Sequence, residues 1–110
     1  MLGLIIFLNK IIFVIIYFYI YIIKMDKKQL YKPFVSKAKN KKYSVYVKSA
    51  NGNPKLIHFG DKRYGQFKDK LGNYSSLDHG DPKRKKAYYS RHGKATSKDS
   101  AKYWSHKILW

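Results

Sequence analysis

A break at Lys24–Met25 divides this chain into two parts that cannot share one water-soluble core. Residues 1–24 are almost wholly apolar, and Ile supplies nine of them. The 86 residues that follow contain only Ile57 and Ile108, yet they carry 22 of the 24 Lys and Arg and all six Asp, with no Glu. From Leu4 to Ile23 the apolar run is interrupted only by Asn9 and Lys10. As a helix rising about 1.5 Å per residue it spans about 30 Å, one hydrocarbon core. Tyr17, Tyr19 and Tyr21 gather toward one end as an interfacial aromatic belt does, and Lys24, Lys27, Lys28 and Lys32 follow. The positive-inside rule then leaves the remainder of the chain in the cytosol. A cleaved signal peptide fits poorly, because no small-residue cleavage site follows the run.

The same segment admits a second reading. Eighteen of its 24 residues are Ile, Phe, Lys, Asn or Tyr, whose codons are made largely of A and T. Ala, Ser and Thr, which usually help membrane helices pack, are absent. On this reading residues 1–24 are mis-translated upstream sequence, and Met25-Asp26-Lys27-Lys28 is the start.

The basic part is long enough for one small domain with a modest core. The chain has no cysteine, which excludes disulfides and thiolate zinc sites. Residues 25–110 carry a net charge of +16, well beyond the about 2 to 8 that solubility requires. A field of that sign attracts polyanions: nucleic acid, anionic lipid or an acidic protein surface. Residues 25–42 read as a basic flexible arm with no helical or strand period, interrupted by Pro33 and pinned weakly by Phe34 and Val35. Beside a membrane segment, such an arm also suits anionic lipid.

Residues 43–110 form the expected domain, of α+β class: a β-hairpin packed by one or two short helices. Tyr43 to Lys48 and Lys55 to Phe59 both alternate with period two, with Asn51-Gly52-Asn53-Pro54 between them. A two-residue Asn51-Gly52 turn splits the apolar residues between the two faces. A three-residue loop, Asn51-Gly52-Asn53, keeps Tyr43, Val45, Val47, Ile57 and Phe59 together and is preferred for that reason. The exposed apolar face then needs a cover. The helix opened by Asp81-Pro82 offers one; it is predicted to run to about His92 and to close at Gly93. Between the hairpin and this helix, Gly65, Gly72, Asn73 and Gly80 predict turns with short helical pieces. At the C-terminus, Ser97 or Asp99 caps a helix carrying Ala101, Trp104 and Ile108, unless Trp104, His106, Ile108 and Trp110 alternate as a strand.

The first turn after Asp81 is Lys83-Arg84-Lys85-Lys86. Cations there cost about 0.3–1 kcal/mol each against the helix dipole at low salt, but free N–H groups and basic side chains suit phosphate. With Arg91, Lys94, Lys98 and Lys102 these residues make the candidate polyanion-binding set. Tyr89, His92, Tyr103, Trp104 and Trp110 are assigned structural, aromatic roles, with Arg91 and His92 fixing the helix end to the C-terminal segment. The aromatic cluster forms the core, with base stacking as the alternative. His79, His92 and His106 with Asp78, Asp81 and Asp99 lack the spacing of any metal motif. No nucleophile with its base is visible. The expectation is therefore no catalytic site, no cofactor and no metal, although a small nuclease dependent on His92 or His106 is a third class to test.

The ordered motifs Tyr43-Ser44-Val45-Tyr46-Val47, Phe59-Gly60-Asp61, Tyr89-Ser90-Arg91-His92, Lys102-Tyr103-Trp104-Ser105 and Leu109-Trp110 resemble a small protein family of large DNA viruses of algae and protists, with relatives in tailed phages. The resemblance covers about residues 41–110. Phage forms carry Cys where this chain has Lys94 and His106. The resemblance implies a viral setting, in host cytoplasm or virion, and a start near Met25. The resulting expectation is a non-enzymatic accessory or virion protein that binds nucleic acid or another polyanion without sequence preference. The alternative is a viral structural protein anchored in a membrane through residues 4–23 and apposed to lipid or capsid proteins.

Overall fold

Two runs of alternating apolar and polar residues build the centre of the molecule. In the computed structural model, which describes residues 2–26 and 29–110 and the side chains of 2–21 and 29–110, they form β2 (Lys41–Lys48) and β3 (Pro54–Asp61). A short β1 (Phe34–Val35) pairs on the other side of β2, giving a three-stranded antiparallel sheet in the order β1-β2-β3. The helices are α1 (Leu2–Asp26), α2 (Pro82–His92) and α3 (Ala101–Ile108), with one 3-10 turn at Ser75–Leu77. This is the expected α+β class: one small domain preceded by an apolar helix.

The register pairs Tyr43 with Phe59, Val45 with Ile57 and Val47 with Lys55. The apolar residues share one face, as expected, but the loop does not have three residues. Lys48 pairs with Pro54, leaving Ser49–Asn53 as a five-residue connection. The Ser49 N–H donates to the Asn53 carbonyl at 2.9 Å, and the Gly52 N–H donates to the Ser49 carbonyl at 2.9 Å. The Asn51 side-chain oxygen accepts from the Asn53 N–H at 3.1 Å and from the Ser49 hydroxyl. These local bonds stabilise the longer turn, with Gly52 at φ +85°. Its register differs by two residues from the expected one, and an even shift leaves every side chain on its own face.

The cover over the hairpin is α3, not α2. Trp104, Ile108 and Leu109 bury themselves against Tyr43, Val45, Val47 and Phe59, with Tyr31, Ile57, Tyr74, Tyr103 and Trp110 packed around them. The physical reason lies in the two sequences: α2 reads PKRKKAYYSRH and buries only Tyr88, whereas α3 places Trp104 and Ile108 one turn apart on a single face. Gly60 permits the close approach. At φ +75°, a Cβ there would lie 2.8 Å from Leu109 Cδ1 and 3.0 Å from Lys42 Cβ. The C-terminal segment is thus helix rather than strand, and its cap is Ser100, whose hydroxyl accepts from the Tyr103 N–H, rather than Ser97 or Asp99.

The stretch expected as a flexible arm is largely bound to the sheet. The Tyr31 N–H donates to the Tyr46 carbonyl at 2.8 Å, and the Ser36 N–H donates to the Lys42 carbonyl at 3.0 Å. Phe34 stacks on Tyr46, and Lys41 and Lys42 belong to β2. Aromatic contacts supply what the Lys-rich composition concealed. Lys27 and Lys28 of that arm lie outside the described residues. In α1 the side chains of residues 2–21 are all exposed, and Leu2–Tyr21 is long and apolar enough to cross a membrane, with a mean hydropathy of 2.3.

Candidate functional site

Residues 62–80 carry little regular structure, and a buried polar network holds them. Lys42 is 2% exposed; its Nζ donates to the Tyr64 carbonyl at 2.8 Å and to Gln66 Oε1. Gln66, fully buried, donates through Nε2 to the Tyr74 carbonyl at 2.8 Å and to Asp78 Oδ1 at 2.6 Å. Asp78 Oδ1 also accepts from the Asp69 N–H at 2.7 Å. The Asp69 carboxylate in turn accepts from the Tyr43 hydroxyl at 2.5 Å, the Tyr74 N–H at 2.8 Å and the Leu71 N–H at 2.9 Å. Buried polar groups are tolerated when satisfied in this way.

The ionisations follow from these contacts. Burial pushes the Lys42 ammonium down, opposed by Asp69, Asp61 and Asp78. Burial pushes Asp69 up, but bonds from Tyr43 and from the N–H groups of Tyr74, Gly72 and Leu71 together hold it below the ordinary carboxylate value. Burial and then the Asp69 bond push Tyr43 up to about 12.

Helix α2 is set in place at three points. Asp81 caps it, accepting from the Lys83 N–H at 2.9 Å. Tyr88 stacks flat on Trp110, with centroids 4.4 Å apart, and its hydroxyl lies 2.9 Å from Ser105 Oγ and 2.8 Å from His106 Nδ1. The other ring nitrogen of His106 lies 2.8 Å from the Gly93 carbonyl and so carries the proton donated there. His106 therefore ties the end of α2 to the C-terminal helix, the role expected of Arg91 and His92. His92 sits beside Tyr88 at 4.5 Å, and the one-turn offset from Tyr88 keeps it on α2 instead of reaching across.

Between α2, α3 and the end of β3 opens a cleft of about 510 Å³, whose lining includes Lys42, Asp61, Tyr64, Arg91, His92 and Lys102. A second hollow of about 340 Å³, lined by Tyr64, Gly65, Arg84, Ala87, Arg91 and Trp110, shares Tyr64, Gly65, Arg91 and Trp110 with it. Of the predicted cations, Arg84, Arg91 and Lys102 come together here. Lys83 and Lys86 are exposed on α2 without lining either hollow, and Lys85 is half-buried with its ammonium 4.5 Å from the Phe67 ring. Lys94 is exposed beyond the helix end, and Lys98 lies 4.3 Å over the Tyr31 ring. Among the predicted aromatics, Trp104 is core, Trp110 backs both hollows, and Tyr89 and Tyr103 are half-buried. Arg63 and Tyr64 carry no sequence signal beyond a turn, and Lys42 reads only as the end of the basic arm.

The structure does bring a hydroxyl to a histidine. Ser44 Oγ lies 2.6 Å from His58 Nδ1, and Ser36 Oγ lies 2.8 Å from Ser44 Oγ. Both serines are buried, at 1% and 5% exposure, so substrate has no access to them. The hairpin alternation places Ser44 and His58 on one face, the outward one by expectation, but Ser36 joins them there and the three side chains stitch the segment after β1 to β2 and β3. Among the described residues no group of three or more His, Asp or Glu is placed to hold a metal. His79, His92 and His106 make separate contacts: His79 Nδ1 accepts from the Asp81 N–H at 3.0 Å, and Asp99 accepts from the Tyr31 hydroxyl at 2.6 Å.

Residues 34–92 match the family described as a family of unknown function, DUF5754, over more than half of the chain. The chain belongs to this family. No curated protein and no solved structure matches it. The DUF5754 match takes in β1 to α2, including Lys42, Tyr64, Arg84 and Arg91, and α3 lies beyond it. It begins earlier and ends sooner than the resemblance at residues 41–110, and the family's description carries no activity or ligand.

Proposed function

We propose that this DUF5754 member is a non-enzymatic accessory protein that binds nucleic acid through its basic surface. One observation carries the reading. Among the described residues the only ion pair is Arg63–Asp61, at 2.7 Å. The other four aspartates whose side chains are described make hydrogen bonds elsewhere: Asp69 and Asp78 in the buried network, Asp81 at the α2 cap, and Asp99 with the Tyr31 hydroxyl. The positive field of Lys and Arg is therefore almost unopposed at the surface, where it attracts phosphate at long range. Lysine-rich contacts of this kind bind the backbone and carry little sequence information. A viral setting, as the resemblance implies, suits a small cationic chain apposed to a genome. The test is binding of DNA and RNA of unrelated sequence by the full chain in non-ionic detergent, with comparable affinities expected. Absent binding at low salt contradicts the reading.

A second reading rests on α1. Apart from Asn9 and Lys10, its exposed side chains from residue 2 to 21 are apolar or aromatic on every face, the property of a helix whose surroundings are themselves apolar. On this reading the basic domain lies against an anionic membrane surface, with α1 as anchor. Retention of the natural product in a carbonate-washed membrane fraction supports it; release into the wash contradicts it.

A further inference from the structure

We infer that the double hollow around Tyr64 is the place where this protein receives an unpaired nucleobase, so that it selects single-stranded over base-paired nucleic acid; the inference rests on the nucleic-acid reading above and deepens it. The chain has only three arginines, Arg63, Arg84 and Arg91, among 24 basic residues; two of them line the hollows, and Arg63 stands beside Tyr64 without lining either. Arg84 and Arg91 stand seven residues apart on α2, which puts them on one face two turns apart, and both line the smaller hollow with Tyr64. Arg63 lies 5.8 Å from the Tyr64 ring, fixed by two side-chain bonds to Asp61, 3.0 Å and 2.7 Å long. Arginine, unlike lysine, grips phosphate with a planar fork and stacks on π faces.

Tyr64 is the second part of the site. It is 66% exposed, whereas the other tyrosines described in the domain are buried or half-buried. The backbone beneath the solvated ring is held in place, because the Tyr64 carbonyl accepts from the buried Lys42 ammonium and the next residues are locked by Gln66. An exposed aromatic ring on a rigid backbone beside arginines has the components of a base-stacking platform, and stacking tolerates any base. A duplex keeps its bases stacked on one another and offers such a ring nothing. No Asp or Glu side chain lines the smaller hollow, and the one in the larger, Asp61, is already bonded to Arg63.

The experiment is a fluorescence anisotropy titration of the full chain, in non-ionic detergent at one low salt concentration. The probes are a labelled single-stranded oligonucleotide, a strand of equal length with abasic sites throughout, and the corresponding duplex. The expected order is single strand tightest, with the abasic strand weaker by about 5- to 150-fold, the range of one stacked base. Tyr64→Ala is expected to bring the single strand down to the abasic level without changing abasic binding, and Tyr64→Phe to restore it. Arg84→Ala with Arg91→Ala is expected to weaken both strands. Equal affinity for the normal and abasic strands, or a Tyr64→Ala chain that still distinguishes them, overturns the base pocket while leaving backbone binding intact. Failure of all three probes to bind overturns the nucleic-acid reading itself, and the pocket with it.

Discussion

Tyr43 and Asp69 tie strand β2 to the loop that frames the clefts, and the bond between them is short and buried. Replacing Tyr43 by Phe leaves the buried carboxylate with one donor fewer, at a cost of roughly 1–3 kcal/mol measurable by urea unfolding. The sign of the pH response follows from the raised folded value of about 12 against an ordinary value of about 10. Stability from Tyr43 is complete below about pH 10 and is lost as the pH rises through about 12. Thermal melts should therefore show a falling Tm over that window, shallower in Tyr43→Phe. Asp69 acts in the opposite direction: its folded value is depressed, so its contribution is complete above about pH 4 and is lost as the pH falls through the folded value. At Gly60, an Ala must accept a left-handed φ and crowd Leu109 and Lys42. Gly60→Ala is expected to destabilise by roughly 1–3 kcal/mol in the same unfolding assay. None of this is legible locally. Lys42 is buried because its acceptors arrive from Tyr64 and Gln66, 22 and 24 residues away, a separation at which periodicity says nothing.

At the scale of elements, α3 supports the sheet and α2 is an attachment to α3. Trp104→Ala is expected to cost about 3–5 kcal/mol and to remove hydrogen-exchange protection from the β2 amides. Tyr88→Ala should free α2 while those amides stay protected; equal loss in both variants contradicts this division. The β2–β3 hairpin, the Asp81-Pro82 helix start and the Gly93 stop are legible, since each is written in neighbouring residues, whereas the pairing of β1 is hidden in the Lys-rich arm. Which helix covers the sheet was not. The strong start signal at Asp81 marks a helix clearly without giving it an apolar face, whereas the short α3 could be read either way until Trp104, Ile108 and Leu109 found the hairpin. Loop length was similarly hidden, because parity fixes the face and the Ser49 and Asn51 side-chain bonds fix the turn.

Across the whole molecule, the unequal use of the two signs of charge is the governing fact. Among the described residues the carboxylates serve the interior, a cap, the Tyr31 hydroxyl and one surface pair, so the lysines and arginines other than Lys42 and Lys85 face outward nearly unneutralised. The composition disclosed the excess, but not that Asp69 and Asp78 are taken up by a buried network, nor that Arg84 and Arg91 share a hollow with Tyr64. The most direct test of the central claim is the affinity of the full chain, in non-ionic detergent, for a labelled oligonucleotide across a salt series. The account predicts a linear fall of log affinity with log salt, at about 0.7 per phosphate contacted on a single strand. For several contacts this is on the order of a hundredfold or more between about 50 and 200 mM. Affinity indifferent to salt, or no binding at the lowest salt, contradicts it.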